Sequence, residues 1–369
     1  TVLSGAAVIG VFAFLSRLLG FLRDRIFAGH FGAGDTLDIY FAAFRIPDLI
    51  FNLVILGAFT SAFVPVFTNF LALNKKEEAF KFSSYLFNIA LLSLLAICGV
   101  IYFLAPSISY LIAPGFSGEK MEQTIFLTRI MLLSPVLFGL SNIASGILNS
   151  YKKFFVYSLA PIFYNLGIII GAVYLEPKVG ISGLAWGVVL GAALHMLIQF
   201  PSVIRLGFRF RLKFNIFHEG IKKLFRLMIP SAVGLGMLQL NLWVITVIAS
   251  MLQAGSVAIF NFANNLQSFP IGIFGISFAI SSFPYLAEAV SRRDTENFRK
   301  CFSQTFIQIL FFVVPISMAM LLMRAQIVRL VLGTGEFDWE DTILTAEALG
   351  YFSLSLFAQA LIPLLTRSF

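Results

Sequence analysis

Three arginines and an aspartate stand where an apolar sequence accommodates them least. The segment Ser16-Arg17-Leu18-Leu19-Gly20-Phe21-Leu22-Arg23-Asp24-Arg25 lies inside the first long apolar stretch of the chain. A charge near the centre of a membrane helix costs about 2.5–3.5 kcal/mol on insertion scales, so such groups persist where they face a bundle interior or a watery cavity. On a helix, Arg17, Gly20 and Asp24 share one face. Arg23 lies to one side, and Gly20 permits a bend that would bring it inward. Arg25 suits the interface, where its head can reach water. A second stripe, Asp38, Arg45, Asp48 and Asn52, recurs at helical spacing around Pro47. A third is neutral: Asn261, Asn264, Asn265 and Ser268, followed by Pro270, with Gln239 and Asn241 in the preceding stretch. Guanidinium forks match phosphate oxygens bidentately, so the first two stripes read as an anion site in which the aspartates orient the arginines. The competing reading is structural, with Arg17–Asp24 and Arg45–Asp48 as buried ion pairs that fix helix packing. The asparagines suit sugar and amide groups, or serve equally as interhelical glue.

The elements that must position these groups follow from composition. The 369 residues are 59% hydrophobic and 12% charged, against roughly 25% charged in a soluble domain. Mean hydropathy is +0.92. This is the composition of an all-α polytopic membrane protein. Runs of about 20 apolar residues, the length that crosses the hydrocarbon, predict ten spans, near 2–30, 37–73, 83–113, 122–150, 154–175, 181–206, 221–253, 256–290, 298–332 and 342–367. The first has no small-residue cleavage site and runs into charge, unlike a signal peptide. The 43 phenylalanines suit lipid-facing and interlobe surfaces. Basic loops alternate: Lys75, Lys76 and Lys81; Lys152 and Lys153; Arg205, Arg209, Arg211, Lys213, Lys222, Lys223 and Arg226; Arg292, Arg293, Arg299 and Lys300. The opposite loops hold little beyond Lys120 and Lys178, and one is acidic. By the positive-inside rule the N-terminus is cytoplasmic. Basic loops against anionic membrane lipid account for the net charge of +8 without a nucleic-acid partner.

Other chemistries lack their signatures. Cys98 and Cys301 offer neither a disulfide framework nor a metal spacing. His30 and His218 lie near span ends, and a solitary His195 reads as a packing residue. There is no His-Glu-x-x-His, P-loop, Gly-x-Ser-x-Gly or Cys-x-x-Cys pattern. No cofactor or metal is called for, and work must come from gradients or membrane potential.

The chain also resembles itself at an offset near 220. Ala33-Gly34 matches Ala254-Gly255. Phe59-Thr60-Ser61-Ala62-Phe63-Val64-Pro65 echoes Phe278-Ala279-Ile280-Ser281-Ser282-Phe283-Pro284. Lys76-Glu77-Glu78-Ala79-Phe80-Lys81 echoes Asp294-Thr295-Glu296-Asn297-Phe298-Arg299. Six spans separate equivalent positions, so both copies keep one orientation, the parallel arrangement of some transporters. The expected organisation is two parallel six-helix-type lobes around a central cavity: residues 1–206, a basic cytoplasmic linker at 207–220, and residues 221–369. The second lobe matches only the first four spans and is expected to be truncated, without counterparts of 152–206.

The first-helix run Ser16–Asp24 resembles the signature of the MurJ/MviN lipid II flippases, of the multidrug/oligosaccharidyl-lipid/polysaccharide exporter superfamily. Phe31-Gly32-Ala33-Gly34, Asp38, Phe44-Arg45-Ile46-Pro47-Asp48-Leu49, Gly57-Ala58-Phe59 and Ala62-Phe63-Val64-Pro65 continue it in order, and Ala263-Asn264-Asn265-Leu266 with Phe269-Pro270 resembles the eighth-helix motif. The resemblance implies fourteen spans in the family, residence in the bacterial cytoplasmic membrane, and transfer of the undecaprenyl-pyrophosphate-linked disaccharide-pentapeptide, lipid II, to the outer leaflet. It implies cell-wall synthesis machinery as a further partner, and carries the family's cationic cavity onto Arg17, Arg23 and Asp24, with Arg45 and Asp38 supporting the cavity or gate. Two positions depart. Phe51 and Asn52 stand where some members have arginine, and Asn264 and Asn265 where many do, which makes this cavity less cationic. A sodium site of some members uses a seventh-helix acid, yet no carboxylate lies between Glu219 and Glu288; sodium, proton and membrane potential stay open as energy sources. The rivals are an exporter of another polyprenyl-linked oligosaccharide, a drug/cation antiporter, which should favour buried carboxylates over arginines, a membrane enzyme acting on polyprenyl phosphate, and a non-transporting scaffold.

Overall fold

The computed structural model describes residues 2–53, 61–211, 214–215 and 217–368. The Gly57-Ala58-Phe59 portion of the motif and Lys213 lie outside the described residues. Within them the chain is helical, with no strand. Seven stretches are long and apolar enough to cross a membrane: 76–112, 118–150, 154–179, 182–205, 256–291, 295–322 and 339–366. They coincide with the third to sixth and eighth to tenth expected spans. Among the described residues, the other three expected spans are covered by helices over 2–31, 35–50 with 61–72, and 219–250.

The chain divides into two compact units. Unit 1 holds α1 (Val2–Phe31), up to Ile26, then α2 (Asp35–Ile50), α3 (Ser61–Ala72), α4 (Lys76–Ile112), α5 (Gly118–Met131), α6 (Leu133–Ser150), α7 (Phe154–Ile170), α8 (Glu176–Val179), α9 (Ser182–Leu197), α10 (Phe200–Arg205) and α11 (Glu219–Ser250). Its interior is aromatic. Phe63, Phe67 and Phe82 are fully buried, and Phe63 stacks on Phe67 and Phe82 at 5.4 and 5.5 Å. Phenylalanine therefore builds this core as well as exposed surfaces such as Phe103 and Phe311; the expected lipid-facing role covers only part of its use. His195 joins a buried polar network instead of an apolar wall: its Nδ1 lies 2.7 Å from Ser141 Oγ, and Gln199 bridges Ser141 and Ser145 at 2.9 and 2.7 Å.

The most extensively packed helix pair is α7 against α9. Gly167 and Gly171 meet Gly191 and Gly187, and a Cβ added at Gly187 would come within 2.7 Å of the Gly171 Cα. Small residues four apart let two backbones approach where lipid offers no hydrophobic drive. The chain continues from α7 through a π-helical turn, Gly171–Leu175.

Unit 2 holds the end of α1, Phe27–Ala33, with α12 (Ser256–Pro270, entering the unit at Ala258), α13 (Ser277–Ser291), α14 (Thr295–Leu322), α15 (Arg324–Leu332) and α16 (Trp339–Ser368). The α1 end is bound into it by the backbone: Glu336 N donates to Gly29 O at 2.9 Å, and Ala33 N to Asp341 Oδ2 at 2.8 Å.

Contacts thus group α11 with unit 1, where Ile221 and Leu224 enter the core and the helix packs on α2, α3 and α4. The division expected at 207–220 rests on the sequence matches near an offset of 220, whereas the two compact units are divided by contacts. Local geometry repeats at the same offset. Asn74 and Arg293 both adopt left-handed φ, 57° and 53°. The bonds Asn74 N to Leu71 O and Lys75 N to Phe70 O have counterparts in Arg293 N to Val290 O and Asp294 N to Ala289 O, the double bond of a helix end with a left-handed residue. π-helical geometry appears at Phe51–Leu53 and Ile271–Ile276, each following a helix that contains proline near its end, Pro47 and Pro270. Proline removes the N–H that would close a normal turn, and a wider turn absorbs the freed carbonyl.

Candidate binding site

Helix α1 continues through Gly20, and Arg23 lies on it. Arg23 Nε and Nη2 both donate to Asp24 Oδ1, at 3.0 and 2.8 Å, and Nη1 donates to Asn165 Oδ1 at 3.3 Å. Asn165 is held in that attitude by its own Nδ2, which donates to Pro161 O at 3.1 Å. Asp24 is 3% exposed, and Tyr40 and Tyr164 are close enough to share its electrostatic surroundings with Arg23. A guanidinium has five N–H groups. Three are engaged in these contacts among the described residues, and two point elsewhere. Arg17 is half-buried two turns earlier on α1. Asp24 forms an ion pair with Arg23, the adjacent residue, at 2.8 Å.

The second station joins α2 to α11. Arg45 Nε donates to Thr246 Oγ1 at 2.9 Å. Asn52 Nδ2 donates to Asp48 Oδ1 and to its carbonyl, both at 2.9 Å, and Gln239 also bonds the Asp48 carboxylate. Arg45, Asp48 and Asn52 therefore share one face, as their spacing predicts. Arg45 and Asp48 are close enough to influence one another electrostatically.

Asp38 belongs to neither station. It is 1% exposed and accepts from Lys120 Nζ at 2.8 Å and Gly255 N at 2.8 Å. Lys120 also reaches Asp35 at 2.6 Å and lies 4.1 Å over the Phe116 ring. Asp38 so ties α2 to α5 and to the turn before α12. Asp38→Ala leaves Lys120 with Asp35 alone and a buried N–H without an acceptor. It is expected to destabilise by about 1–3 kcal/mol, read as a lower thermal midpoint in detergent, with Lys120→Met/Asp38→Asn recovering part of the loss.

In unit 2, Asn264 Oδ1 accepts from Gln267 Nε2 at 3.2 Å, Gln267 Oε1 accepts from Gln359 Nε2 at 3.4 Å, and Gln359 also donates to Ser355 at 2.8 Å. This chain of hydrogen bonds links α12 to α16. Asn265 is half-buried beside it.

Sequence reasoning missed Asn165, Tyr40, Tyr164 and Thr246 as neighbours of the arginines, and read Lys120 only as a sparse loop charge. No group of metal-binding side chains occurs among the described residues.

Comparison with known proteins agrees with the polar pattern. Residues 27–369 match the family model described as lipid II flippase MurJ. The chain is 31% identical to the probable lipid II flippase MurJ of Rhizobium tropici, across 99% of this chain and 69% of that one. It is 29% identical to the lipid II flippase MurJ of Burkholderia cenocepacia, across 97% and 71%. A solved structure of lipid II flippase MurJ in an inward closed conformation superposes with a TM-score of 0.84 at 28% identity, covering 98% of this chain and 75% of that one. An inward-facing multidrug resistance MATE transporter of the MOP superfamily shares the fold, with a TM-score of 0.74 at 17% identity over 95% and 82%. A family match over residues 27–369, with relatives aligned along nearly the whole chain, makes this protein a member of the lipid II flippase MurJ family.

Proposed function

We propose that this chain is a lipid II flippase, a transporter and not an enzyme, which carries the headgroup from the inner to the outer leaflet of the bacterial cytoplasmic membrane by alternating access. The observation that carries the reading is Arg23: a guanidinium held beside Asp24 and Asn165 with N–H groups left over, on a membrane-length helix of this family. Arg17 and Arg23 bind the pyrophosphate. Asp24 and Asn165 fix the fork of Arg23, so that its outward N–H groups are pre-aimed and little is lost in ordering them on binding. Asp24 also keeps the site from carrying uncompensated positive charge when empty. Arg45, held by Thr246, adds a third cation. Asn52, Asn264 and Asn265 serve the uncharged part of the headgroup. The polyprenyl tail stays in lipid, where it costs nothing to keep, while the charged head crosses.

The finer organisation is part of the same proposal. Ten crossings with a cytoplasmic N-terminus are supported by the alternation of basic loops. Two lobes, residues 1–206 and 221–369 joined by the basic segment 207–220, are supported by the sequence matches at an offset near 220. A partner among the cell-wall synthesis proteins is consistent with the substrate.

The test is complementation in cells depleted of their own flippase. The wild-type gene is expected to restore lipid II export, and the Arg17→Ala/Arg23→Ala gene to fail at equal membrane abundance. Asn52 and Asn264 in place of the arginines of relatives favour one second reading, a different polyprenyl-linked oligosaccharide. Preferential flipping of such a lipid over lipid II by the purified protein would establish it.

A further inference from the structure

Away from the arginine cluster, unit 1 has a cavity of about 360 Å³ between the first turns of α4 and the segment 207–211. Its polar lining is Lys76, Lys81, Arg209 and Arg211 with Ser84 and one carboxylate, Glu77. The segment is extended and pinned to α4 by its carbonyls: Ser84 Oγ donates to Arg209 O at 3.3 Å, and Asn88 Nδ2 to Arg211 O at 2.8 Å. Alternate side chains of an extended segment point opposite ways. Phe208 and Phe210 both pack on Phe87, with centroids at 6.5 and 5.2 Å, which leaves Arg209 and Arg211 to line the cavity. Lys76 is steadied over the rings of Phe80 and Tyr151, at 5.7 and 5.9 Å. The neighbouring acid Glu78 is taken up by Lys81 at 2.8 Å, with His218 at 3.7 Å.

The second repeat supplies the control. A cavity of about 520 Å³ lies on the same face of α14, lined by Asn297, Lys300, Cys301 and Gln304. These stand 220 residues after Glu77, Phe80, Lys81 and Ser84. There the charges close on one another. Arg292 pairs with Glu288 at 2.8 Å, and Asp294 accepts from the backbone and side chain of Asn297 at 3.0 and 2.6 Å. The second hollow balances Arg292 and Lys300 against Glu288 and Asp294, whereas the first sets Lys76, Lys81, Arg209 and Arg211 against Glu77 alone in its lining, so the excess of cations belongs to the first site and not to the shape. Farther along α4 from the basic cavity, Leu92, Leu95 and Phe103 are exposed on the same helix.

We propose that the cavity at the start of α4 binds a phosphate group at the membrane–water boundary, supplied by the headgroup of an anionic phospholipid whose chains lie along α4. Four cations converging on one hollow match the non-bridging oxygens of a phosphate, and basic pockets at this depth are the sites at which membrane proteins hold anionic headgroups. The inference rests on membrane insertion and not on the flippase reading.

The experiment titrates the full chain in neutral detergent with dioctanoyl-phosphatidylglycerol, dioctanoyl-phosphatidylcholine and inorganic phosphate, read by microscale thermophoresis. The wild type is expected to bind phosphatidylglycerol and not phosphatidylcholine. Lys76→Gln/Arg209→Gln/Arg211→Gln is expected to weaken that binding roughly a hundredfold, and Arg292→Gln/Lys300→Gln at the second hollow to leave it unchanged. If the triple variant is not monodisperse, Arg211→Gln alone serves, with a loss of about fivefold. Tight binding of inorganic phosphate, lost in the same variant, supports the phosphate site and assigns it to soluble phosphate; failure of phosphate to bind assigns it to lipid. Undiminished phosphatidylglycerol binding by the triple variant, or an equal loss in the second-hollow control, overturns the proposal.

Discussion

Arg23→Ala is expected to abolish lipid II export and to lower stability at once, and the two effects separate in a second variant. Asp24 is buried, and Arg23 supplies its described ion pair through two N–H groups on one oxygen. Removing one partner of a buried pair costs about 3–5 kcal/mol, mostly the penalty of the charge left behind. Arg23 is partly exposed, so the lower end of that range applies. Arg23→Ala/Asp24→Asn removes the stranded charge and should regain most of the thermal midpoint. It should still fail to export, because the guanidinium that meets the pyrophosphate is gone. Arg23→Lys is the third arm. An ammonium keeps the charge but cannot reach Asp24 and Asn165 together with a planar fork, so export should fall by an order of magnitude or more while stability stays near wild type. If the double variant regains stability and export together, Arg23 is only a packing residue.

The second large effect is expected at the glycine seam. Gly187→Leu sets a branched side chain against the Gly171 backbone, where even a Cβ would come within 2.7 Å. Overpacking of a tight interior typically costs about 1–3 kcal/mol and sometimes more. Backbone atoms on the far side cannot rotate away, so about 3 kcal/mol or more is expected here. Helices α7 and α9 position Asn165 and the network around His195, so the loss should appear as reduced yield of monodisperse protein and as lost export. Gly99 on α4 is the matched control: nothing lies within 4 Å of an added Cβ, and Gly99→Ala should be neutral or slightly stabilising because alanine is the better helix former.

Much of this was legible in the sequence. Span positions follow from apolar run length, and the observed helices α4, α14 and α16 begin within a few residues of the basic or acidic loops that bound them. The 220-residue offset was visible in short matches, and the turns at Asn74 and Arg293 give it a backbone form. Arg45, Asp48 and Asn52 read correctly as one face because helical spacing alone decides that. Arg23 was harder. Its partner is the adjacent residue, which helix-face reasoning sets aside, because neighbours point in different directions unless a long side chain folds back. Asn165 and Lys120 are reached across 142 and 82 residues of chain, and no local pattern announces such contacts. The Gly-x-x-x-Gly spacing of Gly167 and Gly171, and of Gly183, Gly187 and Gly191, stands in the sequence but was passed over, because glycines carry no charge or apolar stripe to mark a face. The grouping of α11 with unit 1 was hidden because duplication and packing divide the chain at different places.

The central claim is that the α1 arginines carry the headgroup across. Its most direct test is translocation of fluorescent lipid II in proteoliposomes, comparing the wild type with Arg17→Ala/Arg23→Ala/Asp24→Asn, which removes the site without stranding a charge. The wild type is expected to move the labelled headgroup to the opposite leaflet, and the triple variant to match protein-free vesicles. Equal translocation by the two proteins would contradict the account.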